Sequence, residues 1–136
     1  MSRRPDDTRI EITTDADIVH ARQVGREMAA GAGCSATDLT MVATAISEIA
    51  RNLLTHAGGG ELEMHLVDMN GRRCLEIVAR DEGPGIADIE RALEDGFTTG
   101  EGLGLGLPGA KRLMDEFDIR SHEGTGTTIT CRKWRL

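Results

Sequence analysis

Gly104-Leu105-Gly106-Leu107-Pro108-Gly109 spells G-x-G-x-x-G late in a chain of 136 residues. Its position limits the fold more than any other stretch does. A dinucleotide-binding fingerprint must follow a buried parallel strand and open a βαβ unit, with an acidic residue about 20 positions on. Here the preceding residues are EDGFTTGEGL, which form no strand, and 27 residues follow Gly109, too few for a second half of a doubly wound sheet. Lys111 does not complete G-x-x-x-x-G-K-[ST] either. A Rossmann or P-loop fold is therefore excluded, yet the glycines need a cause, because each costs conformational entropy on folding. Gly102-x-Gly104-x-Gly106 suits backbone that must close on something, and Pro108 suits the first turn of a helix. Free N–H groups at a helix start, after a glycine loop, make an anion site. On this stretch alone, a loose surface loop is an equal alternative.

The remaining pattern predicts α+β. Thr8 to Thr14 alternates as a short strand, and Asp15 is placed to cap a helix running to about Ala30. Ser35 is the next cap. The helix behind it is the clearest element, with Leu39, Val42, Ala43, Ile46, Ile49, Ala50, Leu53 and Leu54 at three- and four-residue steps. It stops at Gly58-Gly59-Gly60. Glu61–Val67 and Arg73–Arg80 alternate around an Asn70-Gly71 turn, which predicts a hairpin. A short helix is expected over Asp88–Asp95 and another from Pro108 to about Phe117. Two strands are expected at the end, around Ile119–Ser121 and over Thr127–Trp134. The order β-α-α-β-β-(α)-loop-α-β-β gives one domain over residues 1–136, a two-layer sandwich with a mostly antiparallel sheet and its helices on one face.

Charge and cysteine usage exclude several functions. The net charge is −7, so the basic footprint of a nucleic-acid reader is missing. Arg3-Arg4 and Arg132-Lys133-Trp134-Arg135 are the basic exceptions, expected to be solvated ends. Cys34, Cys74 and Cys131 are widely spaced and form no C-x-x-C, which fits free thiols in a reducing cytoplasm. His20, His56, His65 and His122 lack metal-ligand spacing. MSRRPDDT has no apolar run of a secretory signal, and no stretch approaches a membrane span.

Four pieces recur in a telling order. Glu48 and Asn52 lie one turn apart on the long helix. Asp81-x-Gly83-x-Gly85 ends a strand, Gly102-x-Gly104-x-Gly106 precedes a helix, and Gly126-Thr127-Thr128 opens the last strand. Together they resemble the N box, G1 box, G2 box and closing Gly-Thr of the GHKL ATPase/kinase superfamily with its Bergerat ATP-binding fold. ISEIARN (Ile46 to Asn52), DEGPGI (Asp81 to Ile86) and EDGFTTGEGLGLGLPGAKRLMDEF (Glu94 to Phe117) are similar to bacterial anti-sigma-factor serine kinases. Within these, they and DIVHARQVGRE (Asp17 to Glu27) most resemble the RsbT-type switch kinases of stressosomes. The similarity spans about residues 8–134.

That resemblance implies an ATP- and Mg²⁺-dependent protein serine/threonine kinase. Glu48 would be the general base and Asn52 the Mg²⁺ ligand beside the nucleotide. Asp81 would read adenine, with Gly83 and Gly85 letting the backbone approach and Thr127 adding a hydroxyl. Gly102, Leu103, Gly104, Leu105 and Gly106 would form the hinge and phosphate cradle of a lid. The lid segment Phe97–Glu101 carries no Lys or Arg, which leaves Arg51, Lys111 and Arg112 as candidates to face the γ-phosphate. The implied substrate is a STAS-domain protein and the implied second partner a PP2C-type phosphatase. Two other outputs stay open: an anti-sigma factor holding an RNA polymerase sigma subunit, and a nucleotide-binding regulator without catalysis. Oligomeric state is not legible.

Overall fold

Thr14, not Asp15, opens the first helix. In the computed structural model, which describes residues 7–83, 106–122 and 124–134, Thr14 is extended at φ −140°. Its hydroxyl accepts from Asp17 N, while the Asp17 carboxylate accepts from Thr14 N at 3.0 Å and Thr13 N at 2.9 Å. This reciprocal capping box satisfies donors that the helix itself leaves unpaired. It also holds the Asp17 carboxyl below its usual range, chiefly through the Thr13 N–H bond. The strand before it, β1 (Asp7–Ile12), ends two residues earlier than the alternation suggested, because Thr13 and Thr14 are spent on the cap.

α1 (Asp15–Gly31) leads to α2 (Ala36–Ala57), capped as expected by Ser35, whose hydroxyl accepts from Asp38 N at 3.2 Å. α2 buries Val42, Ala43, Ala45, Ile46, Ile49, Ala50 and Leu53 and ends on left-handed Gly58. β2 (Gly60–Met69) and β3 (Arg72–Asp81) form the hairpin. Asn70 and Gly71 both take positive φ, 53° and 79°, the two-residue turn whose twist matches its strands. After α3 (Gly106–Leu113) come β4 (Glu116–His122) and β5 (Gly126–Trp134). The helix expected over Asp88–Asp95 lies outside the described residues.

α3 is shorter than its apolar spacing suggested. It stops at Leu113, and Phe117 belongs to β4, facing Cys131 of β5. The switch is made by tertiary contacts: Asp115 N donates to Arg132 O at 3.0 Å and the Lys133 ammonium donates to Leu113 O at 2.9 Å. Within the basic end piece, Arg132 and Lys133 are therefore not solvated ends. Lys133 is 7% exposed, and Arg132 bridges Glu76 and Glu116 at 2.8 and 3.0 Å.

All neighbouring strands are antiparallel, in the order β1-β2-β3-β5-β4. Side chains alternate across the sheet. One face contributes Ile10, Ile12, Leu62, Met64, Leu75, Ile77, Ala79, Ile129 and Cys131 to a core shared with Ile46, Ile49 and Leu53 of α2. With few aromatics, the core is held by many aliphatic contacts, each buried Ile or Leu contributing about 1.5–3 kcal/mol. The other face is a lattice of ion pairs, Arg9–Glu61, Arg80–Glu63 and Arg132–Glu76 among them. Being solvent-screened, these pairs contribute little to stability.

None of the three thiols is in a disulfide; Cys34 is half-buried and the other two are buried. Burial pushes Cys74 up to about 11 and Cys131 up to about 12. The thiolate is the reactive form, so at pH 8 a disulfide reagent is expected to label Cys34 in native protein. Cys74 and Cys131 should react only after denaturation. The sign for stability follows: unfolded thiols ionise near pH 9 while the buried ones stay protonated. Their contribution is thus full below pH 9 and declines as pH rises toward 11–12.

Candidate functional site

α2 carries Glu48 and Asn52 on successive turns, both half-buried at the border between its core stripe and solvent. Arg51, between them, is exposed. The next group comes from a distant part of the chain: Gly106 N donates to Glu48 Oε2 at 3.1 Å. Gly106 is the first residue of α3 and sits at φ 53°, a left-handed geometry that excludes most side chains. The glycine run therefore delivers a helix start, with its outward-pointing N–H groups, to the carboxylate of α2. That carboxylate occupies the Gly106 donor.

β3 supplies the next group. Asp81 continues the side of the strand that bears Leu75, Ile77 and Ala79, the helix-facing side. Its Oδ1 accepts from Gly83 N at 2.8 Å, an Asx turn that fixes the carboxylate. A turn-former and a ligand group are compatible here, since a carboxylate has about four lone-pair sites. A Cβ on Gly83 would come within 2.6 Å of the Ala57 methyl, so the missing side chain lets the end of α2 close on the exit of β3. Asn52 is five residues before Ala57, about 7.5 Å along the helix.

Thr127 pairs with Asp81 in the β3–β5 register and is 5% exposed. Its hydroxyl lies 2.8 Å from Ser121 Oγ, which donates to Gly126 O at 3.2 Å. Either hydroxyl can donate in the shared bond, and Thr127 keeps acceptor capacity in both cases. Gly126, at φ 121°, lies so close to Asp81 O that a Cβ would collide with it. The glycine of the closing Gly-Thr pair is thus required where β5 presses on the end of β3.

The structure accordingly brings Glu48 to Gly106, Asp81 to Gly83, and Thr127 to the Asp81 strand end, with Asn52 on the same helix as Glu48. Gly85, Gly102, Leu103, Gly104 and Leu105 lie outside the described residues, as does the Phe97–Glu101 lid. Lys111 and Arg112 are exposed in the last turn of α3. They lie about 8–9 Å along the axis from Gly106, where they complement the helix C-terminus rather than its start. Arg51, three residues from Glu48, is an exposed cation on the same helix. Ser121 was not anticipated. The signal for it lies in the β4–β5 register, Ser121 opposite Thr127, which a single sequence does not reveal. Among the described residues no group of three His, Cys, Asp or Glu could hold a metal ion, and no helix is long and apolar enough to cross a membrane.

An antiparallel sheet backed by α2, with a glycine-led helix start on that helix's carboxylate, defines a nucleotide-binding kinase class, and the chain belongs to the histidine kinase-like ATPase domain family, whose model matches residues 12–133. Its particular kinship is narrower. The chain is a homologue of the serine/threonine-protein kinase RsbT of Bacillus subtilis (strain 168), 49% identical over 129 residues that cover 95% of this chain and 97% of that protein. It is also similar to the anti-sigma F factor of Heyndrickxia coagulans, 37% identical over 103 residues, 71% of this chain and 69% of that one. Among solved structures, the mycobacterial sensor histidine kinase MprB superposes with a TM-score of 0.56 at 17% identity, over 94% of this chain and 97% of that one. The catalytic domain of histidine kinase ThkA gives 0.54 at 17%, over 93% and 95%. At such identity these structures speak for the fold.

Proposed function

We propose that this RsbT-like kinase transfers the γ-phosphoryl group of ATP to a serine or threonine hydroxyl of a STAS-domain partner, in a cytoplasmic switch. Released from that partner, it engages and activates a PP2C-type phosphatase. The observation that carries this is the 3.1 Å bond between Gly106 N and Glu48 Oε2: residues 58 apart in sequence put a phosphate-type donor beside a carboxylate.

Phosphoryl transfer demands positioning and charge stabilisation more than covalent work. Glu48 takes the proton of the substrate hydroxyl as its oxygen bonds to phosphorus and ADP leaves. Asp81 accepts from the exocyclic amine of adenine while its other capacity holds the Gly83 turn, and Thr127 offers its lone pairs beside it. The Gly102–Leu105 run is the part proposed to hold the phosphates, with the Gly106 amide tying the start of α3 to Glu48. Asn52 fits Mg²⁺: it is a neutral oxygen donor one turn from Glu48, and this ion takes few protein ligands and several oxygens from nucleotide and water. Bound there, Mg²⁺ supplies neutralisation of phosphate charge. Arg51, exposed three residues from Glu48, is the cation proposed to add to it.

Radiolabelled ATP with Mg²⁺ and STAS-domain candidates tests the proposal. Label is expected on a STAS serine or threonine, and phosphatase activation by the chain once that residue is phosphorylated. ATP binding with no transfer to any STAS protein, together with co-purification of a sigma subunit, would instead favour the anti-sigma reading suggested by the Heyndrickxia coagulans relative.

A further inference from the structure

Lys133 is a buried cation that the mechanism above does not use. It lies on the core side of β5, with its side chain 8% exposed. Its ammonium donates to Leu113 O, the last residue of α3, at 2.9 Å. It also lies 3.5 Å from Asp115 Oδ1, 3.8 Å from Asp38 Oδ1 and 3.5 Å from Met41 Sδ. Asp38 is in the first turn of α2. A single cation therefore joins the C-terminus of α3, the N-terminus of α2 and β5.

The geometry fixes what this join controls. α3 has eight residues, about 12 Å of helix. Its first residue bonds to Glu48, midway along α2, and its last carbonyl reaches Lys133 against Asp38 and Met41. Glu48 and Asp38 are ten residues apart, about 15 Å on α2. α3 thus runs antiparallel to α2 and is pinned at both ends to it, at one end through the base and at the other through Lys133. A cation at a helix C-terminus satisfies an unpaired carbonyl and opposes the helix dipole. Leu107 and Ala110 bury the middle of α3 in the core, while the Lys133 bond holds its C-terminal carbonyl.

We propose that Lys133 is a positioning residue for phosphoryl transfer: by anchoring the far end of α3 it sets where the Gly106 amide meets Glu48. This rests on the kinase function above. Lys133 touches no reacting atom; it acts through α3.

The test is Lys133→Met, which keeps the apolar stem and removes the charge. Single-turnover transfer from saturating Mg-ATP is expected to fall about 10- to 100-fold, the scale of an ångström-sized misplacement. ADP affinity, held largely at the Asp81 end, should change less than about threefold. Amide exchange over Gly106–Leu113 should rise while α2 stays protected. Lys133→Arg, restoring the cation, should recover most of the rate. Asp115→Asn, altering a carboxylate that is 40% exposed, is the variant with least risk to folding and should show the same pattern, weaker. Ile10→Val, in the core under β1, is the comparison: it costs stability and leaves the rate alone.

Wild-type transfer and wild-type α3 exchange in Lys133→Met and Asp115→Asn would overturn the inference. So would a rate loss matched by equal loss of ADP binding, or one that Ile10→Val reproduces at equal destabilisation. Failure of the wild-type chain to transfer phosphate to any partner would sink the kinase function instead, and the exchange readout would still decide whether Lys133 holds α3.

Discussion

Glu48→Gln will lower phosphoryl transfer by about 10²–10⁴-fold and leave ATP bound, the range for losing one positioned general base. Glutamine is the informative replacement. Its carbonyl oxygen can still accept from Gly106 N, so the 3.1 Å tie to α3 survives, and what disappears is the ability to take a proton. Glu48→Ala would remove base and tie together and confuse the two. Single-turnover transfer at saturating ATP, alongside a binding titration, separates chemistry from affinity. A wild-type rate in the glutamine variant would put the base elsewhere on the molecule.

Asp81→Asn is expected to fail earlier, at nucleotide binding. The Gly83 N–H needs an acceptor, so the new amide will turn its oxygen toward the turn and its NH₂ toward the base. A donor then meets the exocyclic amine of adenine, itself a donor. Losing a charge-assisted bond and leaving a desolvated donor unpaired costs about 1.5–3 kcal/mol, or about 10- to 100-fold in affinity for ATP and ADP alike. Calorimetric titration of both nucleotides measures this. The fold should be untouched, because the Asx turn is retained. Unaltered affinity would mean that Asp81 is only a turn residue.

α2 was legible from its sequence because every local signal agrees there: the Ser35 cap, an unbroken apolar stripe and Gly58 at the end. The hairpin was legible for the same reason, through Asn70-Gly71 and alternation on both sides. Errors fell where distant contacts decide. Met114 and Phe117 continue a helical spacing, but β5 claims the backbone at Asp115 and the side chain at Phe117. Lys133 looked like part of a solvated basic tail, although strand parity places it with Ile129 and Cys131 on the core side. Among the site residues, Glu48 and Asn52 were paired by helical spacing, while the Gly106–Glu48 contact depends on how α3 docks, which no local pattern encodes. Thr127 was legible from the Gly-Thr pair, but its Ser121 partner needed the register.

The indole of Trp134 gives the chain an unplanned optical property. Trp134 is the single tryptophan and there is no tyrosine. Its ring is held on the outer face of the sheet, with the Arg72 guanidinium 4.9 Å from the ring centroid and its N–H on Glu116. It lies across from Cys74, seven residues along β3 from Asp81, about 24 Å away. Near-ultraviolet emission therefore reports on the end of the strands far from Asp81. Unfolding will change its colour, whereas filling the nucleotide site will leave it dark to the event.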